Sequence, residues 1–405
     1  MTKDARYRSD KAHSHIRTTI AFCGTRGVPA NYGGFETAVD EISCRFVTHG
    51  YNCEVFCRLS SSDKPLERHQ GRRLVYVRGS NNRKLDTFVS SIQTGWYLWR
   101  HRKRYAHVLW FNNANFPGIL LTRLARIPMS VNTDGLEWRR AKWSWPFKVY
   151  YFSSSFLVSR FCRSLVSDSH ALQSYYHRRF FKKTSFIPYG VPDTPAVPES
   201  RQIEILKRFD LEKNRYFLQI TRIEPDNLPL QVASAFQDSG LGDKGFKMVF
   251  VGYKDPTPYA QQLIAYDGRY GIQVRDALYD QETLYVLRKH CYCYVHGNSV
   301  GGTNPALLEA MAVCHRVMAI NCEFSREVLG DMGLFFDPAN IASAFHAAVR
   351  LEEHSTDMQR RISRRYQWDD VVDSYMRLAE RKPANYEVKV KWLPAAIVRD
   401  SVVTE

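Results

Sequence analysis

A chain of 405 residues exceeds what one ordinary hydrophobic core organises, so two domains are expected. Its 57 Lys and Arg outweigh 41 Asp and Glu, and the net charge of +16 calls for an anionic partner without naming it. No apolar run approaches the ~20 residues of a membrane-spanning helix, no repeat or low-complexity tract appears, and the 9 cysteines follow no spaced framework, which argues against a disulfide scaffold and for a reducing, cytoplasmic setting.

The opening MTKDARYRSDKAHSHIR reads as a polar leader without the n-region, h-region and cleavage site of a secretory signal. The first predicted element is a buried strand at TTIAFC, Thr18 to Cys23. GTRGVPANYGGFETAVDEIS follows, with Gly24, Gly27, Gly33 and Gly34 crowded ahead of a helix whose Phe35, Ala38, Val39, Ile42 and Phe46 fall at helical spacing before Gly50. A glycine-rich strand-to-helix turn lets backbone approach a ligand while the helix start offers unpaired N–H groups to an anion. The spacing matches neither the dinucleotide fingerprint nor a P-loop, so a plain tight turn remains open at this point.

Further strands are expected at Glu54–Cys57, Leu74–Val77, His107–Phe111, Met129–Thr133, Leu165–Ser167 and Ser185–Ile187. Between them, residues 96–107 and 136–165 interleave Arg and Lys with Trp, Tyr and Phe. That pattern suits an anionic membrane face, with aromatics at headgroup level. It also suits single-stranded nucleic acid, or a solvated basic face over an aromatic core. IPYGVPDTPAVPES, residues 187–200, holds four prolines and reads as a linker. A second series of strands is expected from Tyr216, Lys247, Ile272, Tyr292, Arg316 and Leu334. Strands alternating with helical patterns on both sides of a linker predict two doubly wound α/β domains, with a ligand cleft at the facing C-terminal strand ends.

The most informative stretch is YVHGNSVGGTNPALLEAMAVCHRVMAI, Tyr294 to Ile320. A strand ends at His296, a loop carries Gly297, Gly301, Gly302 and Thr303, and Asn304 caps a helix with Pro305 at its first position. The free N–H groups of that turn can hold a diphosphate, and Glu309, one turn further in, can accept from a vicinal diol such as ribose. Arg222, in TRIEPDN just past the first strand of the same domain, can pair with phosphate oxygens through its planar fork. Asp134, in NTDGLEW after a first-domain strand, is the candidate carboxylate to orient or deprotonate an acceptor hydroxyl, with capping of the turn at Gly135 as its structural alternative and Glu137 as a second candidate. HCYCYVH, His290 to His296, lacks a second metal pair nearby, and Cys23 lacks a histidine partner, so zinc and thiol chemistry are set aside.

These residues resemble the retaining glycosyltransferases of family four, which have the GT-B architecture. GTRGVPANYGGFET, DGLEWRRAKW, SDSHALQSYY, FIPYGVP, HGNSVGGTNPALLEAMA and FSREVLGDMGLFF together are similar to a bacterial rhamnosyltransferase-like subgroup, over residues from about 20 to about 380. The resemblance implies two Rossmann-like domains facing each other across a cleft: 1–190 for the acceptor, 191–363 for the nucleotide sugar, and 364–405 carrying a helix that crosses back to the first domain. It also implies transfer of a sugar with retention from a nucleoside-diphosphate donor, dTDP-rhamnose being favoured over UDP or GDP sugars. The implied acceptor is a lipid-linked saccharide in surface polysaccharide synthesis, at the cytoplasmic membrane face. Gly33, Gly34, Arg222, Gly301, Gly302, Thr303, Asn304 and Glu309 would bind substrate; Asp134 and Arg222 would serve catalysis.

Two departures stand out. The family places a glutamate touching the donor sugar eight positions before the ribose-binding one, where this chain has Gly301, and a lysine about five residues past the arginine, where it has Asn227. No D-x-D occurs in the sequence, so neither a metal nor another cofactor is expected. A nucleotide-sugar epimerase or a phosphorylase would share the fold, but no lysine-bound cofactor site is recognisable. A nucleic-acid-binding protein would account for the charge but not for the paired glycine-rich turns.

Overall fold

The computed structural model describes residues 19–30, 34–59, 65–80, 82, 85–140, 143–254 and 256–389. Gly33 lies outside them.

The first half alternates β1 (Thr19–Cys23), α1 (Gly34–Thr48), β2 (Asn52–Leu59), β3 (Arg68–His69), β4 (Arg72–Arg78), α2 (Asp86–Arg100), β5 (Tyr105–Phe111), α3 (Phe116–Leu124), β6 (Met129–Asn132), α4 (Trp145–Phe161), β7 (Ser164–Ser167), α5 (His170–Phe180) and β8 (Ser185–Phe186). The sheet runs β3-β4-β2-β1-β5-β6-β7-β8, parallel except for β3 against β4. Strands covered on both faces need no polar alternation. Thus β1 is TIAFC with all five residues buried, and such runs are what made the strands legible. The two-residue β3 carried no such signal.

The second half continues with α6 (Glu199–Arg208), β9 (Tyr216–Ile220), α7 (Pro229–Asp238), β10 (Lys247–Tyr253), α8 (Pro258–Ile264), β11 (Ile272–Asp276), α9 (Gln281–His290), β12 (Cys293–His296), α10 (Pro305–Val313), β13 (Val317–Ile320), α11 (Glu323–Leu329), β14 (Leu334–Phe336) and α12 (Ile341–Ala348). Its parallel sheet is ordered β11-β10-β9-β12-β13-β14. Strand order reverses beside β1 in one sheet and beside β9 in the other, and open α/β sheets form their ligand crevices at such points.

The last three helices among the described residues, α13 (Ser355–Arg365), α14 (Trp368–Ala379) and α15 (Tyr386–Lys389), join the halves. Helix α14 packs on α1, β5 and β6 of the first half. Tyr375 stacks on Phe111 with ring centroids 6.1 Å apart, and its hydroxyl accepts from Asn132 Nδ2 at 2.8 Å. The proline-rich segment is stitched to this crossover: Val191 N–H donates to the Tyr366 carbonyl at 2.9 Å, and a Cβ on Gly190 would lie 2.6 Å from the Trp368 ring. One buried apolar cluster consequently runs from Phe22 through Tyr189, Trp368 and Tyr375 to Val249.

Candidate functional site

The glycine-rich turn after β1 is shaped by close approach. Gly24 has φ +101°, and a Cβ there would sit 2.1 Å from the Phe111 carbonyl oxygen, so only glycine lets the chain leave β1 beside β5. Helix α1 then straps the turn down. Glu36, buried in its first turn, accepts the Arg26 N–H at 3.0 Å, and Asp40 accepts the Ala30 N–H at 3.0 Å. Gly34 opens α1 and meets Pro305, the first residue of α10, with 3.2 Å between its ideal Cβ and Pro305 Cγ. The starts of α1 and α10 therefore face each other where the two halves meet. Asn304 caps α10 by accepting the Ala306 N–H at 3.0 Å.

Loops from both sheets close this seam. Gly135 packs on Gly301, whose Cα lies 2.9 Å from the Cβ that Gly135 lacks. A Cβ on Gly302 would lie 1.8 Å from Asp168 Oδ1, and the Thr303 hydroxyl donates to the Asp168 carbonyl. The side chain of Thr303 and the missing side chain of Gly302 thus serve contact between the halves, and the Thr303 N–H also bonds to the Asp168 carboxyl. Arg140 Nη2 donates to the Val300 carbonyl at 3.1 Å, while Glu137 holds Arg140 and accepts Trp143 Nε1 at 2.9 Å. Glu137 is therefore a bracket for the loop, and Arg140 is a buried cation whose Nη1 has no hydrogen-bond partner among the described residues.

Asp134 fills the capping role considered for it. Its Oδ1 accepts the Gly135 N–H at 2.7 Å, capping the turn, and its Oδ2 accepts from Asn112 Nδ2 at 2.8 Å and the Tyr151 hydroxyl at 3.0 Å. Burial, then the Glu137 charge, pushes its carboxyl up to about 7, against the pull of the Gly135 N–H, Arg140 and Tyr151. A carboxyl titrating near neutrality is suited to proton transfer. Burial also raises Asp168 well above the carboxylate range, and its Oδ1 has no partner among the described residues.

Arg222 lies half exposed past β9, with Nη1 3.8 Å from Glu224 Oε1. Its carbonyl accepts Asn227 Nδ2 at 2.8 Å. Asn227, at the position of the family's lysine, is buried and holds this loop. The Glu224 charge also acts on Arg140, so cations of both halves border the same crevice. Glu309 forms an ion pair with Arg288, whose side chain is 6% exposed. Arg288 escaped the sequence reading because α9 meets α10 only in the fold. No cluster of three or more His, Cys, Asp or Glu able to hold a metal occurs among the described residues. His290 instead contacts Gln202 at 2.8 Å.

Glu327 on α11 closes the seam from the second half, accepting the N–H groups of His170 at 2.9 Å and Ala171 at 3.3 Å at the start of α5. Burial raises its carboxyl to about 7, opposed by those N–H groups and Arg361, with Glu323 adding to the rise. A raised folded pKa means its contribution is fully present below the unfolded value and is lost as pH rises through about 7. Glu327→Gln, a mimic of the protonated acid, is expected to stabilise the protein at pH 8 by on the order of 1–2 kcal/mol and to have almost no effect at pH 4.5. Urea titrations at the two pH values check this; equal effects at both would contradict it.

The basic aromatic segments divide. Phe88, Ile92 and Trp96 are exposed along α2, as are Trp145, Val149 and Phe156 along α4, and Phe88 meets Tyr150 with ring centroids 6.2 Å apart. The two exposed stripes meet at that contact, and Arg100, Arg102 and Lys103, all exposed, follow at the end of α2. Arg104 belongs elsewhere: it pairs with Glu54, which is 2% exposed and is also bound by Arg73 at 2.9 Å and the Tyr105 hydroxyl at 2.6 Å. No described helix is long and apolar enough to cross a membrane.

A family model described as a domain of unknown function, DUF1972, matches residues 123–192, the stretch carrying Asp134, Arg140 and Asp168. No curated protein matches the sequence. Solved structures do match. Sucrose-phosphate synthase from Thermosynechococcus elongatus is 15% identical with TM-score 0.74, over 90% of this chain and 99% of that one. HepE from Anabaena, solved with UDP-glucose, is 12% identical with TM-score 0.69 over 90% and 98%. A glycosyltransferase from Rickettsia africae is 14% identical with TM-score 0.67 over 90% and 98%. At such identities the likeness speaks for the fold, and the chain has the GT-B architecture of two Rossmann-like domains across a cleft.

Proposed function

We propose that the protein is a glycosyltransferase that takes a sugar from a nucleoside-diphosphate donor, with retention, and passes it to a lipid-linked saccharide at an anionic membrane face. The observation that carries this is the meeting of the α1 and α10 starts at the seam, with Arg222 past β9 and the buried Arg140 bordering the crevice. Sucrose-phosphate synthase and HepE, which share the fold, lend support through the UDP-glucose bound by HepE. In this reading the diphosphate rests on the N–H groups of Gly301, Gly302 and Asn304 and on Arg222, while Glu309, steadied by Arg288, takes the ribose. As the bond from the anomeric carbon to the diphosphate oxygen breaks, these fixed dipoles and cations stabilise the growing negative charge. The acceptor oxygen bonds to the same carbon, and Asp134 receives its proton. dTDP-rhamnose is the first donor to try, on the strength of the sequence resemblance.

Thermal shift against UDP, dTDP and GDP sugars tests donor binding, since a ligand at 100 times its Kd adds about 2.7 kcal/mol. A flat response to the whole panel would contradict the reading. Cations and dipoles of the protein are expected to suffice for the leaving group, so transfer should persist in excess EDTA; loss restored by magnesium or manganese would overturn that expectation. For the membrane face, replacing Arg100, Arg102 and Lys103 with serine is expected to weaken binding to phosphatidylglycerol vesicles by about 1 kcal/mol per charge and leave donor binding intact. Arg104 is kept because it compensates buried Glu54. Equal vesicle binding by the variant and the parent would remove the membrane from the account.

A further inference from the structure

Asp134 and Asp168 follow β6 and β7 at the seam, and the loops that enter these strands lie at the opposite end of the first domain. Strands β6, β7 and β8 are parallel neighbours, so their entry loops stand side by side. The chain enters β6 past Leu124 and Arg126, β7 past Phe161 and Arg163, and β8 past Phe181 and Lys183, all exposed. These ends touch: Lys182 Nζ donates to the Cys162 carbonyl at 2.6 Å, and Phe161 meets Phe116 of α3 with ring centroids 6.3 Å apart. Burial lowers the Lys182 pKa and the Arg160 charge adds to the fall, while Cys162 opposes it. Asp134, Glu137 and Asp168 are the only carboxylates in the sequence from 100 to 190, and all three belong to the seam. Arg126, Arg163 and Lys183 form no ion pair with a described residue.

The helix dipole accounts for Arg123, Arg160 and Arg179, which occupy the last turns of α3, α4 and α5. It accounts neither for the cations beyond the helix ends nor for the exposed apolar side chain in each loop. Phe181 is the extreme: it is 85% exposed and has φ +53°, a left-handed conformation that a bulky residue rarely adopts. We infer that this strand-entry edge docks on an anionic lipid bilayer, with its cations against lipid phosphates and Leu124, Phe161 and Phe181 inserted at headgroup level. The inference rests on the membrane part of the reading above and moves its centre from the flank of α2 and α4 to the row of loops at the helix ends. Arg102 and Lys103, ahead of β5 and so beside the β6 loop, extend the row. Cations near an anionic surface and inserted apolar side chains both add to binding, the first screened by salt and the second not. Single-stranded nucleic acid fits less well, because it calls for aromatic rings on which bases stack, and Leu124 offers none. An acidic protein would need a contiguous apolar core to its interface, whereas each apolar side chain here is set among cations.

The test is sedimentation with lipid vesicles. The parent protein should bind phosphatidylglycerol vesicles at low salt and leave phosphatidylcholine vesicles unbound. Arg126→Ser, Arg163→Ser and Lys183→Ser combined should weaken binding about 100-fold. Phe181→Asn, whose new side chain suits the left-handed conformation, should weaken it about tenfold, a deficit that salt does not erase. Unchanged thermal unfolding reports that both variants are folded. Parent-like vesicle binding by either variant would overturn the inference and leave the membrane reading to Arg100, Arg102 and Lys103. Failure of the parent to bind phosphatidylglycerol vesicles would overturn the inference and the membrane reading together, with the donor panel deciding the transferase reading separately. Tighter binding of the parent to a single-stranded oligonucleotide than to vesicles, lost in the triple variant, would overturn the inference in favour of nucleic acid.

Discussion

Replacing Arg222 with alanine is expected to lower kcat/KM for the nucleotide sugar by roughly 10- to 150-fold, the equivalent of about 1.5–3 kcal/mol for hydrogen bonds to a charged group. The side chain is half exposed and its nearest carboxylate oxygen is 3.8 Å away, so its removal leaves no buried charge stranded and folding should be unaffected. Its carbonyl, which anchors Asn227, survives the substitution. Arg222→Lys should recover charge but not the two-pronged geometry, and so fall between the two. The measurement is steady-state kinetics with donor varied. Unchanged kinetics in Arg222→Ala would withdraw the residue from the diphosphate and leave the anion to α10 and Arg140.

Asp40→Ala is expected to cost about 3–5 kcal/mol of stability, a large share of the ~5–15 kcal/mol typical of a folded protein. Arg72 is fully buried, and its guanidinium donates to the Asp40 carboxylate, the Asp40 carbonyl at 2.9 Å and Ser43 Oγ at 3.1 Å. Losing the carboxylate strands that charge. It also frees the Ala30 N–H, which ties the glycine-rich turn to α1, so hydrogen exchange should quicken at the turn. Asp40→Leu with Arg72→Met should cost much less than Asp40→Ala, because neither partner is then left alone. Chemical denaturation checks both; a loss below about 1 kcal/mol for Asp40→Ala would contradict the account of this pair.

Legibility of the sequence followed the range of the interactions. Buried parallel strands such as IAFC of β1 and VMAI of β13 are continuous apolar runs, and Asn304-Pro305 announces a helix start through local chemistry alone. Contacts between the halves leave no such trace. Glu327 reaches the N–H of His170 from 157 residues away, and Arg140 reaches Val300 across 160. Both sit inside stretches that carry the family resemblance, DGLEWRRAKW and FSREVLGDMGLFF, yet nothing local in either stretch tells which distant backbone its side chain reaches. Arg104 read as one more surface cation because its buried partner Glu54 sits inside an ordinary strand, 2% exposed. The prolines of residues 187–200 read as a linker, and the segment is tied to the crossover by the bond from Val191 to Tyr366. Of the glycines, Gly24 answers to its own φ and to β5 of the same sheet, whereas Gly135 and Gly302 answer to the facing domain, which is visible only once the domains meet.

The most direct test of the central claim is sugar transfer itself. Purified protein is incubated with radiolabelled dTDP-rhamnose, and in parallel with UDP and GDP sugars, together with a bacterial membrane extract, and the organic-phase product is isolated for NMR of its new anomeric centre. The account predicts label in a lipid-linked saccharide, dependent on one donor, with the anomeric configuration of that donor kept and with activity sharply reduced in Arg222→Ala. Release of an altered nucleotide sugar with no labelled acceptor, or a product with inverted configuration, would contradict it.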